Sequence, residues 1–548
     1  MPSDSNESDG SDSGVSLDRR QFVGAVGTSV PLVLAGCTSG GESEGGQDAT
    51  TTGSGGTSQT SGGSGGSPKS GGTLQWGGAV PVQGLDPHLD SSAASKRVLE
   101  NIYEELVQLQ SDYSLKPHLA KNLKKQENNT LLSMDLQQGV KFHDGTEMTS
   151  EDVLASYQRV ANGDYLASGF FDFVENMKAP SKYKFQIKLK EPFAPFIAKM
   201  ATAELAIMPK KEAQKKKIGN PVGTGPYQFE SREIESSFTM TKFDDYWDSK
   251  SGGPYMDKIV KSEITDPSVR LQSFQAGEYD FINGVAPKDV ETVKNMPQTR
   301  FEKQFPKSLV YLGMNCNQKP FDDKHARLAL DFALDKQKIA EAALYGTGKT
   351  TATPATPGSP WVNKDVKPRP RDKQKAKKHL EQAGMADGYS ASFKIPQSYP
   401  AQVQAAKVIS DQASEVGIEL DIQKITWNSW LSDVYSKQNF QATTSSYLAL
   451  WYPDVSFYKF LHPDGAFFFT GWKNEEYNKL VEEARHMYDQ QKRAEKYHKA
   501  TEILHRERAG HLFLWWQGNL YGAKNQYKGD IGAPDGSTLR FQDNWLEN

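Results

Sequence analysis

The feature that most constrains this chain is the run from Thr38 to Gly72, which is almost entirely Gly, Ser and Thr with a few Glu, Gln and Asp. Such a run cannot bury apolar area and is expected to stay disordered. At roughly 5–6 Å × √n its residues reach on the order of 30–35 Å, so it acts as a flexible tether. It separates a short N-terminal part from a body that starts at Thr73 and ends at Asn548. On its N-terminal side, Met1 to Leu17 is polar and acidic, and Phe22 to Ala35 carries no charge. That apolar stretch falls short of the about 20 residues needed to cross a hydrocarbon core. Gly24, Gly27 and Pro31 also weaken it as a helix. It reads as the apolar centre of an export signal, with a membrane span or a buried helix as the alternatives.

Arg19 and Arg20, with Gln21 after them, precede that stretch, the layout of a twin-arginine export signal. The stretch ends in Leu34-Ala-Gly-Cys37, which resembles the lipobox of secreted lipoproteins. The resemblance implies that Cys37 accepts a lipid. The body is then expected on the extracytoplasmic face of the cell membrane, held by its lipid anchor. The second cysteine, Cys316, lies in the strand-like run Tyr311 to Asn317 with no basic residue or His adjacent. It is expected to be a small buried hydrophobe, and no disulfide is expected.

Charge excludes little but is useful on one point. Lys and Arg total 64 against 68 Asp and Glu, a net charge of −4, so there is no electrostatic reason to expect nucleic acid. Gly346-Thr-Gly-Lys-Thr350 looks like the tail of a phosphate-binding loop, but the glycine that the full pattern needs is Ala343. His88, His143 and His462 are the candidate histidines for metal, yet no pair has the helical spacing of a metal site. No metal and no cofactor are expected. No Gly-x-Ser-x-Gly elbow occurs in the body, so the chain is not expected to be an enzyme. A secreted hydrolase and a structural or adhesive lipoprotein are the rival classes.

Within the body, Gly72 to Gly77 reads as a first strand and Ser95 to Leu109 as a helix, with Val98, Ile102, Leu106 and Leu109 on one stripe. Leu131–Leu136 and Val140–Phe142 read as paired strands, followed by a turn at Asp144-Gly145. Thr149 with Asp152 signals a helix start, and Lys184 to Lys190 alternates as a half-buried strand. Helices are expected after Phe321-Asp-Asp323, after Asp335, and over Ala401–Val416, with Ile418–Ile425 a strand. Glu475 to Arg508 reads as two helices whose charges form a solvated face. No fixed-period repeat is present. The pattern is α/β with mixed sheets.

Several segments carry a resemblance when taken together. They are Leu85-Asp-Pro-His88, Tyr103-Glu-Glu-Leu-Val107, Gly139 to Gly145 and Thr149 to Val153. They continue with Asn220 to Tyr227, Pro320-Phe-Asp-Asp323 with Arg327, and Tyr452-Pro-Asp454. In order and spacing they resemble the extracellular solute-binding protein family 5, the oligopeptide, dipeptide and nickel receptors of ABC importers. The resemblance implies a two-lobed periplasmic-binding-protein-like fold of the class II, three-domain kind with a central ligand cleft. It implies a signal over 1–37, the linker over 38–72, and a discontinuous first domain over 73–112, 218–308 and 515–548. A second domain over 113–217 is inserted, and the other lobe covers 309–514. Gly223, Gly225 and Pro226 are expected to fix a turn between the lobes. The implied partners are a small solute, peptide or oligosaccharide, and the permease subunits, with the receptor a monomer.

The same resemblance implies ligand contacts from the loop Asp90, Ser91, Ser92 and Ala93, from Trp427, and from the strand that carries Tyr447, Ala449, Trp451 and Tyr452. One departure matters. Peptide-binding relatives carry an aspartate where this chain has Trp451, and that aspartate pairs with the ligand's ammonium. A buried cation without such a partner costs several kcal/mol, on the order estimated for uncompensated ions. A neutral or differently oriented ligand is therefore expected, for example a sugar stacked on Trp427 and Trp451. A metal chelate is the other alternative within the family.

Overall fold

The computed structural model describes residues 67–548, apart from Ser91, Leu166, Ser251, Ala449, Leu450, Pro534, Ser537 and Asn548. The expectations on Arg19, Arg20, Cys37 and most of the linker lie outside the described residues. Order is present by Gly71, whose N–H donates to the Tyr255 carbonyl at 2.8 Å. No helix among the described residues is long and apolar enough to cross a membrane.

The fold is α/β. Its main sheet has eleven strands. Across it run Ile418–Ile425, Tyr389–Pro396, Ala442–Leu448, Thr299–Met314, His511–Lys524, Phe281–Asn283, Thr73–Gly78, Lys258–Glu263, Ser237–Lys242 and Tyr227–Glu233, while Lys349–Thr350 also pairs with His511–Lys524. Tyr389–Pro396 is parallel to its neighbour Ile418–Ile425, and Thr73–Gly78 is parallel to both of its neighbours. The two longest strands pair antiparallel with a break in register between Gln304 and Ser308. On one side of the break, residues 521–523 pair with Phe281–Asn283; on the other, residues 308–314 pair with Ala442–Leu448. Each long strand thus contributes one end to each half of the sheet.

Each half has its own core. Trp76, Ile259, Phe281 and Tyr521 pack in one, with the Trp76 indole N–H donating to Asn283 Oδ1 at 2.8 Å. Leu312, Leu330, Phe393, Ile409 and Trp515 pack in the other. A separate four-stranded sheet orders Lys124–Gln126, Leu131–Asp135, Lys184–Leu189 and Val174–Ser181. Its alternation is physical: Phe185, Ile187 and Leu189 are buried while Lys184, Gln186 and Lys188 are half-buried. The helix Ser150–Ala161 packs on it, opened by the Thr149–Asp152 box, where the Thr149 N–H donates to Asp152 Oδ2 at 2.8 Å. A third cluster joins this small sheet to the far half, with Phe185 and Phe196 in one cluster with Trp361, Trp451 and Tyr497.

Several expectations need correction. The helix read over Ser95–Leu109 is Ala93–Leu99, and Val107–Leu109 is a strand paired with Leu115–Pro117. The helix ends because later backbone groups have distant partners: the Asn101, Ile102 and Glu104 carbonyls accept from Tyr227, Gly225 and Ile207. Leu131–Asp135 pairs with Lys184–Leu189, not with Val140–Phe142. The latter segment bridges across the Asp144-Gly145 turn to Glu147. The Gly223–Pro226 turn packs on the backbone of Asn101–Tyr103, and the Gly223 carbonyl accepts from His143. It joins the first half to the segment that carries the small sheet. The helices Glu475–Arg485 and Gln490–Glu507 form as expected, but Arg493 and Arg508 are buried rather than solvated.

Candidate functional site

A cavity of about 300 Å³ lies between the segment that carries the small sheet and the far half of the main sheet. Val107, Tyr113, Leu115, Lys125 and Ile197 line one side, and Trp361, Trp451, Tyr452, Tyr488 and Arg493 line the other. A volume of this size is at the lower end for small-molecule sites. The walls are tied together at the rim. The Tyr113 hydroxyl donates to the Pro357 carbonyl at 3.0 Å, and the Phe193 N–H donates to the Tyr488 hydroxyl at 3.2 Å. His486 Nδ1 donates to the Pro192 carbonyl at 2.9 Å.

Trp451 and Tyr452 are both buried, with ring centroids 5.3 Å apart at 66°. They follow the strand Ala442–Leu448, which Thr299–Met314 holds in register, so the main sheet sets their position. Burial pushes the Tyr452 phenol well above its usual range, and Asp454 adds to this. Its hydroxyl has no hydrogen-bond partner among the described residues. Trp427 is not in the cavity wall. It lies half-buried, stacked on Trp430 at 5.0 Å and 4° with Tyr399 against it at 5.5 Å. Asp90 and Ser92 shape the loop before the helix Ala93–Leu99. Asp90 Oδ1 accepts from the Ser92 N–H at 2.8 Å, and Ser92 caps the helix by accepting from Ser95. Ala93 opens that helix. Ser91 and Ala449 are outside the described residues, and of Tyr447 only the backbone pairing with Leu309 is described.

Charged groups around the cavity pair with one another. Glu204 meets Lys96 at 2.6 Å and Lys199 at 3.2 Å; although burial opposes it, the two lysines pull its carboxyl well below the usual range. Burial depresses Lys199 to about 8 against the pull of Glu204. Asp454 meets Arg485 at 2.7 Å, and Arg485 also lies over the Tyr458 ring at 3.5 Å and over Phe193 at 5.0 Å.

The histidines considered for metal have other work. His88 Nε2 lies 2.9 Å from the Ala206 carbonyl with Arg159 at its other nitrogen, and burial pulls it to about 4. His143 bonds the Gly225 carbonyl at 3.0 Å and is likewise pulled to about 4 by burial. His462, Asp464 and Glu482 come together, but the Asp464 N–H donates to Nδ1 at 3.1 Å and Glu482 lies 3.1 Å from Nε2. Nδ1 is thus engaged, while Nε2 lies within ion-pair distance of Glu482 without a hydrogen bond. Burial raises the Cys316 thiol to about 11, so it stays protonated and unreactive at neutral pH.

Sequence reasoning did not single out Tyr113, Lys125, Trp361, Tyr488 or Arg493. Arg493 sits in a helix rich in Lys and Arg, and nothing in the periodicity marks it as the buried one.

Comparison with known proteins gives a consistent picture. A sequence model described as bacterial extracellular solute-binding proteins, family 5 Middle, matches residues 114–468. The oligopeptide-binding protein AppA of Bacillus subtilis is 25% identical over 517 residues, covering 87% of this chain and 93% of AppA. A dipeptide-binding protein of Escherichia coli is 26% identical over 504 residues, covering 83% of this chain and 91% of the relative. The ABC transporter-associated periplasmic binding protein DppA of Helicobacter pylori, solved with the peptide STSA, shares the fold at a TM-score of 0.71 and 24% identity, covering 88% of this chain and 99% of DppA.

Proposed function

The chain belongs to the bacterial extracellular solute-binding proteins of family 5, and from that premise we propose that it is the lipid-anchored receptor of an ABC importer for a solute of the oligopeptide or dipeptide class. The observation that carries this reading is the cavity lined from two sides, by Tyr113 and Ile197 on one and by Trp451 and Tyr452 on the other. A solute there touches both walls only when they are together, so it favours the closed arrangement by its differential affinity. The printed names of the relatives support the peptide class, and the description of the DppA structure supports an ABC transporter.

In this reading the chain works as a monomer. The first lobe comprises 73–112, 218–308 and 515–548 with 113–217 inserted, and the second lobe is 309–514. Trp451 and Tyr452 contact the solute in the cavity, and the Asp90–Ala93 loop, Trp427, Tyr447 and Ala449 contact it beyond the cavity wall. Arg19 and Arg20 direct export and Cys37 carries the lipid. No chemical step on the solute is part of it.

A thermal-shift screen of the full chain against peptides, oligosaccharides and metal chelates tests the reading. A ligand at a hundred times its Kd stabilises by about 2.7 kcal/mol, so a peptide hit is expected to raise Tm visibly. Turnover of a labelled peptide, or no stabilisation by any solute, would reject it. Cys37→Ser is expected to release the protein from the membrane fraction; retention would reject the anchor.

A further inference from the structure

Charge is unevenly placed along this chain. The whole sequence carries a net −4, yet residues 364–382 hold eight Lys and Arg against three Asp and Glu, a net +5. Six lysines of this stretch, Lys364, Lys367, Lys373, Lys375, Lys377 and Lys378, are exposed. The helix Lys373–Gln382 sets the direction of the last two. Ala376 and Leu380, one turn apart, are buried in the core of the far half, which leaves Lys377 and Lys378 on the outward side.

Neighbouring acids answer part of this charge. Arg369 pairs with Asp331 at 2.7 Å, Arg371 and Lys373 share Glu415, and Lys375 meets Asp372 at 3.4 Å. Lys364, Lys367, Lys377 and Lys378 have no ion pair among the described residues. The other lysine run, over 210–217, is largely neutralised in place: Lys210, Lys211 and Lys215 pair with Glu151, Asp144 and Glu212 at 3.2, 2.6 and 2.8 Å. In the 364–382 stretch the arginines are thus spent on internal carboxylates and the unanswered cations are all lysines. A lysine ammonium is a hydrated point charge on a flexible stem, suited to a diffuse anionic field rather than to one fixed planar partner. None of the large exposed apolar side chains among the described residues lies in this stretch. It therefore lacks the apolar anchors on which protein partners close.

We propose that this face, built on the helix Lys373–Gln382, rests on the anionic phospholipid headgroups of the leaflet to which the chain is anchored; the inference rests on the lipid-anchored reading above. A lysine near an anionic surface strengthens binding about fivefold. Four of them make a contact in roughly the millimolar range, too weak to hold a free protein. A flexible tether supplies an effective concentration of about the same order, so the contact forms once the anchor is in place. The tether itself does not choose the face. Fully extended it spans on the order of 100 Å, more than the about 60 Å breadth expected of a body this size. Charge makes the choice instead.

The test uses the full chain carrying Cys37→Ser, so that no lipid is attached, and sedimentation with vesicles. Phosphatidylcholine vesicles are set beside vesicles holding about 30% phosphatidylglycerol as the anionic lipid. At about 0.05 M salt the anionic vesicles are expected to bind at least about tenfold more tightly, and at about 0.5 M, where charges are screened beyond about 4 Å, the difference is expected to vanish. The apolar run from Phe22 to Ala35 is common to every variant and meets both vesicles, so it cancels from the comparison. Lys377→Gln with Lys378→Gln is expected to lower affinity for the anionic vesicles about twentyfold. Its Tm is expected to stay at the wild-type value, because neither lysine has an ion pair to lose. Lys216→Gln with Lys217→Gln removes the same charge from exposed positions of the other run and is expected to leave that affinity within about twofold. Equal binding to both vesicles, or a loss that follows Lys216 and Lys217 instead, overturns the membrane face and leaves the anchor standing. The anchor is read separately, as the lipid mass on Cys37 of the native chain. An unmodified Cys37 overturns the anchor, and with it a docking that depends on the tether.

Discussion

At the residue scale, the strongest electrostatic arrangement is Asp331. Its carboxylate is 1% exposed and meets Lys336 at 2.6 Å, Arg369 at 2.7 Å and Arg508 at 2.9 Å. Burial opposes its ionisation, but the three cations hold its pKa far below the usual carboxylate range. Asp331→Asn leaves those cations without their anion and is expected to cost about 3–5 kcal/mol in urea unfolding. The pH dependence follows from the sign of the shift. Because the folded-state pKa is depressed, this stability is present above the unfolded value of about 3.9 and is lost as pH falls below it. Wild type is therefore expected to lose urea resistance on acidification more steeply than the Asn variant. Parallel slopes would show that Asp331 is not responsible. Arg508 was read from the sequence as part of a solvated helix face; its burial depends on Asp331, far away in the chain, which helical periodicity does not register.

At the element scale, the Gly223–Pro226 turn is set by close approach. A Cβ at Gly223 would stand 2.0 Å from the Ile102 carbonyl oxygen, and one at Gly225 would stand 2.6 Å from that of Asn101. Gly223→Ala must displace backbone, so it is expected to cost at least the about 1–3 kcal/mol typical of overpacking. Gly219→Ala, with nothing within 4 Å of the added carbon, is the control and is expected to stay near wild type. An unchanged urea midpoint for Gly223→Ala would refute the packing argument. The same turn explains what could be read from the sequence. Local signals such as the alternation of Lys184–Leu189 and the Asp323 and Asp335 caps are carried by neighbouring residues, and these elements form as expected. The end of the helix at Leu99 is fixed by carbonyls that bond residues more than a hundred positions away, so the apolar stripe continued past it. For the site, the run through Trp451 and Tyr452 was recognisable as a motif. Trp361 and Arg493 were not, because they come together only when 361 meets the helix Gln490–Glu507.

At the scale of the whole molecule, the two long strands and the rim contacts divide the work of closure. The strands cross between halves with register shifts at Gln304/Ser308 and at Val310/Tyr311, and in the proposed reading the halves pivot at the first of these. The rim contacts exist only when the walls are together. Among them, the bond from His486 to the Pro192 carbonyl lies outside the cavity lining, so its removal does not touch a bound solute. A net hydrogen bond contributes about 1 kcal/mol, and His486→Ala withdraws it from the closed arrangement alone. If the unliganded protein is mainly open, the apparent Kd is expected to rise about threefold to fivefold. Motion is measured separately with spin labels at Glu175→Cys and Lys479→Cys, both exposed and placed on opposite walls. The Cys316 thiol, raised to about 11, reacts slowly, and with Cys37 replaced by Ser the labelling is selective. Addition of a solute identified by titration is expected to narrow and shorten the distance distribution, and His486→Ala to shift it back toward the longer distances at equal solute concentration. A distribution that solute leaves unchanged would mean that binding occurs in a preformed cavity, and the rim bonds would then have no part in affinity.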